Sequence, residues 1–278
     1  MAPRTYLADI LAAHRAHAAA DDRDLDDLVA RAEGAPPTRA FLGALAGASG
    51  GPLSVVAEVK RRSPSRGDLD PGLDAAAVAT DYAAGGASCL SVLTDQEFFG
   101  GSGTDLAAAR AACDLPVLRK DFTVSEADIC DARLMGADAV LLIVAALSDE
   151  ELVRFLSLAH ELLLDALVEV HDEPELERAL DAGAELVGVN QRDLTTFAVE
   201  TDRAERMAGC IPPEVVAVAE SGIRDAEDAR RVAEAGYQAV LVGESLVRSG
   251  DRRASVRALA GHPIGARGGL HSAGRDRS

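Results

Sequence analysis

Lysine is nearly missing. Lys60 and Lys120 are the only two in 278 residues, and every other basic side chain is arginine. Lysine can give up its proton near neutral pH when its surroundings favour that, whereas arginine effectively cannot. Both lysines are therefore candidates for chemistry. Basic charge is scarce overall: 28 Lys and Arg stand against 46 Asp and Glu, for a net charge of −18. That balance argues against a general nucleic-acid binder, which needs clustered Lys and Arg, and against docking on an anionic membrane. A bound phosphate must be held by a local set of donors.

Cysteine is sparse and unpatterned. Cys89, Cys113, Cys130 and Cys210 make no CxxC and have no histidine at metal-ligand spacing, so ordinary thiols in a reducing compartment are expected. His14 and His17 can share a helix face, but no third ligand stands beside them, and no metal or cofactor is expected. Long apolar runs are also lacking. The longest, 137–147, is interrupted by Asp138 and is strand-sized, well short of a membrane span. Residues 1–10 carry Arg4 and Asp9 and lack the apolar core of a secretory leader. The expectation is a cytoplasmic protein, monomeric or weakly dimeric.

What the chain does have is a repeat. Short, nearly continuous apolar runs at 54–60, 88–94, 116–120, 137–144, 166–170, 186–190, 215–220 and 239–243 predict strands buried on both faces. Helical patterns follow them at 73–84, 105–112, 125–135, 148–163, 173–182, 202–207, 225–235 and 245–259. Ser148 ahead of three acidic residues predicts an N-cap. Gly136, Gly183 and Gly236 each sit between a helix and a strand, where a left-handed cap is expected. Eight such units predict an α/β fold, a closed (β/α)8 barrel of the TIM type. An open doubly wound sheet would usually carry a Gly-rich turn after its first strand. Here that strand runs into Lys60-Arg61-Arg62 instead. Helices at 6–20 and 25–32 form an extra N-terminal helical segment, so 1–261 is predicted as one domain and 262–278 as a disordered tail.

In such a barrel the active site forms at the C-terminal ends of the strands. Glu58, Lys60, Lys120, Glu169, Asn190 and Glu220 all fall there, and charged groups fixed to apolar strands are costly unless paired or used. Ser221-Gly222 and Gly243-Glu244 follow the last two strands, where barrels commonly hold phosphate on backbone N–H groups.

These residues lie within a series of motifs: Ala57-Glu58-Val59-Lys60-Arg61-Arg62-Ser63-Pro64-Ser65, Ser91-Val92-Leu93-Thr94-Asp95 with Phe98-Phe99-Gly100-Gly101-Ser102, Leu118-Arg119-Lys120-Asp121-Phe122, Leu167-Val168-Glu169-Val170-His171, Gly188-Val189-Asn190-Gln191-Arg192-Asp193-Leu194, Ala219-Glu220-Ser221-Gly222-Ile223 and Leu241-Val242-Gly243-Glu244-Ser245-Leu246. In order and at matching spacing, they resemble the successive motifs of the indole-3-glycerol-phosphate synthases over about residues 54 to 248. The resemblance implies ring closure of 1-(2-carboxyphenylamino)-1-deoxyribulose 5-phosphate with loss of CO2 and water, in tryptophan biosynthesis. It implies Lys120 as general acid and Glu169 as proton acceptor or donor in the dehydration. Lys60 would neutralise substrate charge, and Glu58 and Asn190 would orient hydroxyls and lysines. Arg192, Glu220, Ser221, Gly222, Gly243 and Glu244 would form the phosphate and substrate shell, with Ser63 and Phe99 at the aromatic end. Carboxylates should keep Lys120 charged while a nearby Lys60 pulls its pKa down. His171 is expected just behind the site. The sequence departs from many relatives at Ala127-Asp128, where an aromatic or a Gln is usual. A related phosphate-binding barrel, such as a phosphoribosyl-anthranilate isomerase, would place Cys or Asp at the ends of strands 1 and 6. A non-catalytic barrel would have lost an acid or base, and none is lost here.

Overall fold

The computed structural model describes residues 6–63, 67–193 and 197–267. Eight parallel strands close into a barrel: β1 (Ser54–Val59), β2 (Cys89–Leu93), β3 (Val117–Lys120), β4 (Ala139–Ile143), β5 (Asp165–Val170), β6 (Leu186–Asn190), β7 (Val216–Glu220) and β8 (Ala239–Val242). Each strand pairs with its sequence neighbours, and β8 closes on β1 through Ser54 opposite Ala239. Every predicted strand is present, with ends shifted by at most two residues.

Strand side chains alternate between faces, so one parity of each strand points inward. Val56, Cys89, Leu118, Leu141, Leu167, Val218 and Leu241 pack together as the barrel interior. The other parity, including Val55, Ala57, Val168 and Val240, packs outward against the helices. Glu58, Lys120, Glu169 and Glu220 each stand two positions beyond an interior apolar residue. The same alternation that fills the barrel thus aims them into its upper layer.

The N-terminal segment has three helices: α1 (Tyr6–Ala20), α2 (Leu25–Glu33) and α3 (Phe41–Leu45). The sequence pattern missed α3, which is too short for helical periodicity to register. It closes the N-terminal end of the barrel. Phe41 and Leu45 are fully buried, and Leu42 N donates to Asp165 at the start of β5 at 2.8 Å. Helix α1 lies at the opposite end, where Arg15 donates to Val124 O and Ala146 O and pairs with Glu151.

The barrel helices α4 (Ala75–Gly85), α5 (Gly103–Ala112), α6 (Glu126–Met135), α7 (Asp149–Glu161), α8 (Glu173–Asp181), α9 (Arg203–Ala208) and α10 (Ala226–Glu234) follow their strands in turn. Ser148 caps α7, with Glu151 closing a capping box. Asp128, the unusual residue of the sequence, does the same for Ser125 at α6. The predicted last helix is two: α11 (Glu244–Val247) and α12 (Arg252–Leu259). The chain breaks at Ser249-Gly250, and Asp251 starts afresh by accepting from Ala254 N.

The expected end of the folded unit at 261 also needs correction. Pro263 bridges to Pro52, Ile264 is buried, and Arg267 donates to Pro213 O and Val215 O. Gly236 makes room for this tail: at φ +99° it is left-handed, and a Cβ there would stand 2.3 Å from Arg267 Cγ. Residues 262–267 are therefore packed, and the rest of the predicted tail lies outside the described residues.

Candidate active site

The interior-facing ends of the strands open into a cavity of about 520 Å3 at the C-terminal end of the barrel. Glu58, Lys60, Phe99, Lys120, Glu169, Asn190, Arg192, Glu220, Ser221, Gly222, Gly243 and Glu244 all line it. Of the expected site residues only Ser63 does not. It is buried in a two-residue ladder with Gly67, and its Oγ has no partner among the described residues. Pro64, Ser65 and Leu194 of the motifs lie outside the described residues.

Lys120 is the centre of the arrangement. Its Nζ donates to Glu169 Oε2 at 2.8 Å and to Glu220 Oε2 at 2.9 Å. Both carboxylates are 2% exposed, so the contact operates with little screening. Burial alone would lower the lysine pKa, but Glu169, Glu220 and Glu58 outweigh it and the net direction is upward. The expected lowering by Lys60 is not what the geometry gives, because Lys60 pairs with Glu58. Lys120 is thus a charged donor in the cavity.

The two carboxylates on this ammonium are not equivalent. Burial disfavours ionisation of both. Glu169 is supported by Lys120, His171 and Asn190, which hold it low, at about 2. Glu220 has Lys120 on one oxygen, while its Oε1 is buried without a partner among the described residues, and burial pushes it up to about 7. A lone ammonium thus keeps one carboxylate firmly ionised and leaves the other close to protonation.

Two glycines make this packing possible. A Cβ at Gly188 would stand 2.0 Å from Glu220 Oε1, and one at Gly243 would stand 2.3 Å from Glu58 Oε1. Gly188 was missed in the sequence reading, although a glycine inside an apolar strand signals close approach. On the rim, Ser221 (φ 62°) and Gly222 (φ 75°) are consecutive left-handed residues after β7. Gln191 Nε2 fixes this turn by donating to Ser221 O at 2.8 Å. Ser221, Gly222, Gly243 and Glu244 all line the same end of the site, and successive turn residues of this kind can offer backbone amides to an anion. Arg224 and Arg248 also line the cavity and were not anticipated, since neither stands at a strand end.

The aromatic side is built by loops. Asp95 follows β2 and accepts from Phe98 N at 2.6 Å and Phe99 N at 3.0 Å. His14 of α1 reaches Asp95 Oδ2 at 2.9 Å and lies 3.9 Å from Asp121. The partners that the sequence did not show beside His14 are thus two carboxylates that follow other strands, and His17 is not among them. These three side chains could hold a cation, their ligand atoms lying within 4.8 Å of one another. They are already committed, however: Asp121 accepts from Thr94 Oγ1, Arg119 and Phe122 N. The cluster therefore pins α1 to the loops that carry Phe99 and Phe122.

Comparison with known proteins gives one consistent answer. The family model described as indole-3-glycerol phosphate synthase matches residues 7–259. A protein of that name from Nocardioides sp. is 57% identical over 208 residues, 75% of this chain and 80% of the relative. Another from Arthrobacter sp. is 48% identical over 270 residues, 95% of this chain and 99% of the relative. Among solved structures, the thiamine phosphate pyrophosphorylase from Pyrococcus furiosus superposes with a TM-score of 0.56 at 18% identity, covering 74% of this chain and 93% of that one. That last likeness speaks for the barrel fold alone.

Proposed function

This chain belongs to the indole-3-glycerol phosphate synthase family, the carboxy-lyases of tryptophan biosynthesis, and from that premise we propose how its cavity divides the work. The substrate is 1-(2-carboxyphenylamino)-1-deoxyribulose 5-phosphate. The ring closes when the aromatic carbon bearing the carboxylate attacks the ketone. CO2 then leaves, and loss of water completes the indole.

The observation that carries the reading is the Lys120 ammonium held at 2.8 and 2.9 Å by two buried carboxylates in the cavity. A charged donor fixed in a site of low dielectric is what the ketone oxygen requires as negative charge builds on it. Lys120 is the general acid of ring closure. Glu169, ionised and beside it, takes the carbon-bound proton in the dehydration and can return it to the departing hydroxyl. Lys60, paired with Glu58, neutralises the substrate carboxylate until CO2 is lost. Asn190 steadies Glu169 and, through Oδ1, accepts from Arg192 N at 3.0 Å. The Ser221-Gly222 turn, Gly243, Glu244 and Arg192 take the phosphate end, Glu220 anchors Lys120, and Phe99 covers the aromatic ring. Ser63, which does not line the cavity, is given no part in it.

The acidic surface and the absence, among the described residues, of a helix long and apolar enough to cross a membrane are compatible with a cytoplasmic enzyme, monomeric or weakly dimeric. The test is to mix purified protein with the substrate and follow indole fluorescence. Wild-type product that nearly vanishes in Glu169→Gln supports the reading; a folded wild type that makes none sinks it.

A further inference from the structure

One imidazole is aimed at Glu169 from outside the cavity. His171 Nδ1 lies 3.0 Å from Glu175 Oε2, and the same oxygen accepts the His171 backbone N–H at 2.8 Å. An ionised carboxylate only accepts, so Nδ1 carries a proton. Nε2 then faces Glu169 Oε1 at 3.6 Å. It is buried and has no hydrogen-bond partner among the described residues. The other Glu169 oxygen is taken by Lys120.

If Nε2 were bare, two lone pairs would face each other out of reach of water, which is unfavourable. One proton therefore belongs to the Nε2–Oε1 pair. Three charged groups bear on the ring: Glu169 of its own strand, Glu175 of α8 and Arg203 of α9. Burial lowers the imidazole pKa, but the Glu175 hydrogen bond and the two carboxylates outweigh both burial and Arg203, so the net direction is up.

We propose that His171 and Glu169 hold one proton between them, on Nε2 while Glu169 is ionised, and act as one acid–base pair in the dehydration, with Glu175 holding the imidazole in the required tautomer. This rests on the role given above to Glu169. In the exchange the imidazolium Nε2–H bond breaks and an O–H bond forms on Glu169, neutralising both charges. The reverse transfer restores them, and no further reactant is needed. His171 does not line the cavity, so it is a positioning residue that works through Glu169.

The test compares kcat, KM and the pH profile of kcat for wild type, His171→Gln and Glu175→Gln. Because the His171 pKa is raised, the shared proton is present at low and neutral pH and is lost as pH rises through that pKa. Wild-type kcat should show this basic limb. Both variants should lose the limb, with kcat lowered about tenfold and KM little changed, less than the ~10²–10⁴ of a group that acts on the substrate directly, as a positioning residue requires. In His171→Ala, added imidazole should restore part of kcat. Variants that keep both the wild-type kcat and its basic limb would overturn the proposal. If His171→Gln fails to fold by circular dichroism, Glu175→Gln decides alone, since it preserves shape and removes the charge that fixes Nδ1. An inactive wild type would instead count against the reaction itself, so the two failures are distinguishable.

Discussion

Gly188 on β6 exists in this barrel to admit Glu220 of the neighbouring β7: a single added Cβ would stand 2.0 Å from the Glu220 Oε1. The relationship ties a residue with no chemistry of its own to the lysine proposed as the general acid, because the other Glu220 oxygen holds Lys120 at 2.9 Å.

Gly188→Ala is therefore expected to displace Glu220 and weaken one of the two holds on Lys120. Overpacking of this kind costs about 1–3 kcal/mol, and kcat should fall by a larger factor than that loss of stability alone explains. Thermal unfolding together with steady-state kinetics checks it. A variant with wild-type kcat would show that the position of Glu220 does not matter.

Glu220 should also leave a mark on stability against pH. Its carboxyl is pushed up to about 7 in the folded protein, above the ordinary value of 4.5. A group raised in this way favours the folded state below its unfolded pKa, and the contribution is lost as pH rises through the folded value. Wild type should thus lose stability from this group between about pH 4.5 and 7. Glu220→Gln should flatten that part of the curve while lowering kcat. Urea titrations at several pH values would read it, and an unchanged slope in the variant would refute it.

His14 tests the role of the N-terminal segment. Its pKa is raised: burial opposes the charge, but Asp95 and Asp121 outweigh it. The contact is then strongest at low pH and is lost as pH rises through that raised value. His14→Ala should loosen the loop that carries Phe99, raising KM more than it lowers kcat. The variant should also make the segment before β1 easier to cut by protease. Equal KM and equal protease resistance would show that α1 does not steady the site through this pin.

Much of this was legible in the sequence for definite reasons. Apolar runs buried on both faces marked the strands, and the position of Glu58, Lys120, Glu169 and Glu220 at their C-terminal ends placed them at the cavity. The rarity of lysine singled out Lys60 and Lys120. What stayed hidden depended on contacts across the fold. The plug α3 is only five residues long. The pairing of His14 with Asp95 spans 81 positions. That Glu169, Glu220 and Glu58 outweigh burial at Lys120, so that its pKa is raised and not lowered, is a matter of side-chain geometry that strand order alone does not determine.

The most direct measurement is single-turnover ring closure by Lys120→Gln, with substrate binding followed in the same experiment. The account expects the variant to bind the substrate yet close the ring slower by a factor of about 10²–10⁴, the range for loss of a positioned acid. Ring closure at close to the wild-type rate would contradict it and move the acid to another group, with Lys60 the first to examine.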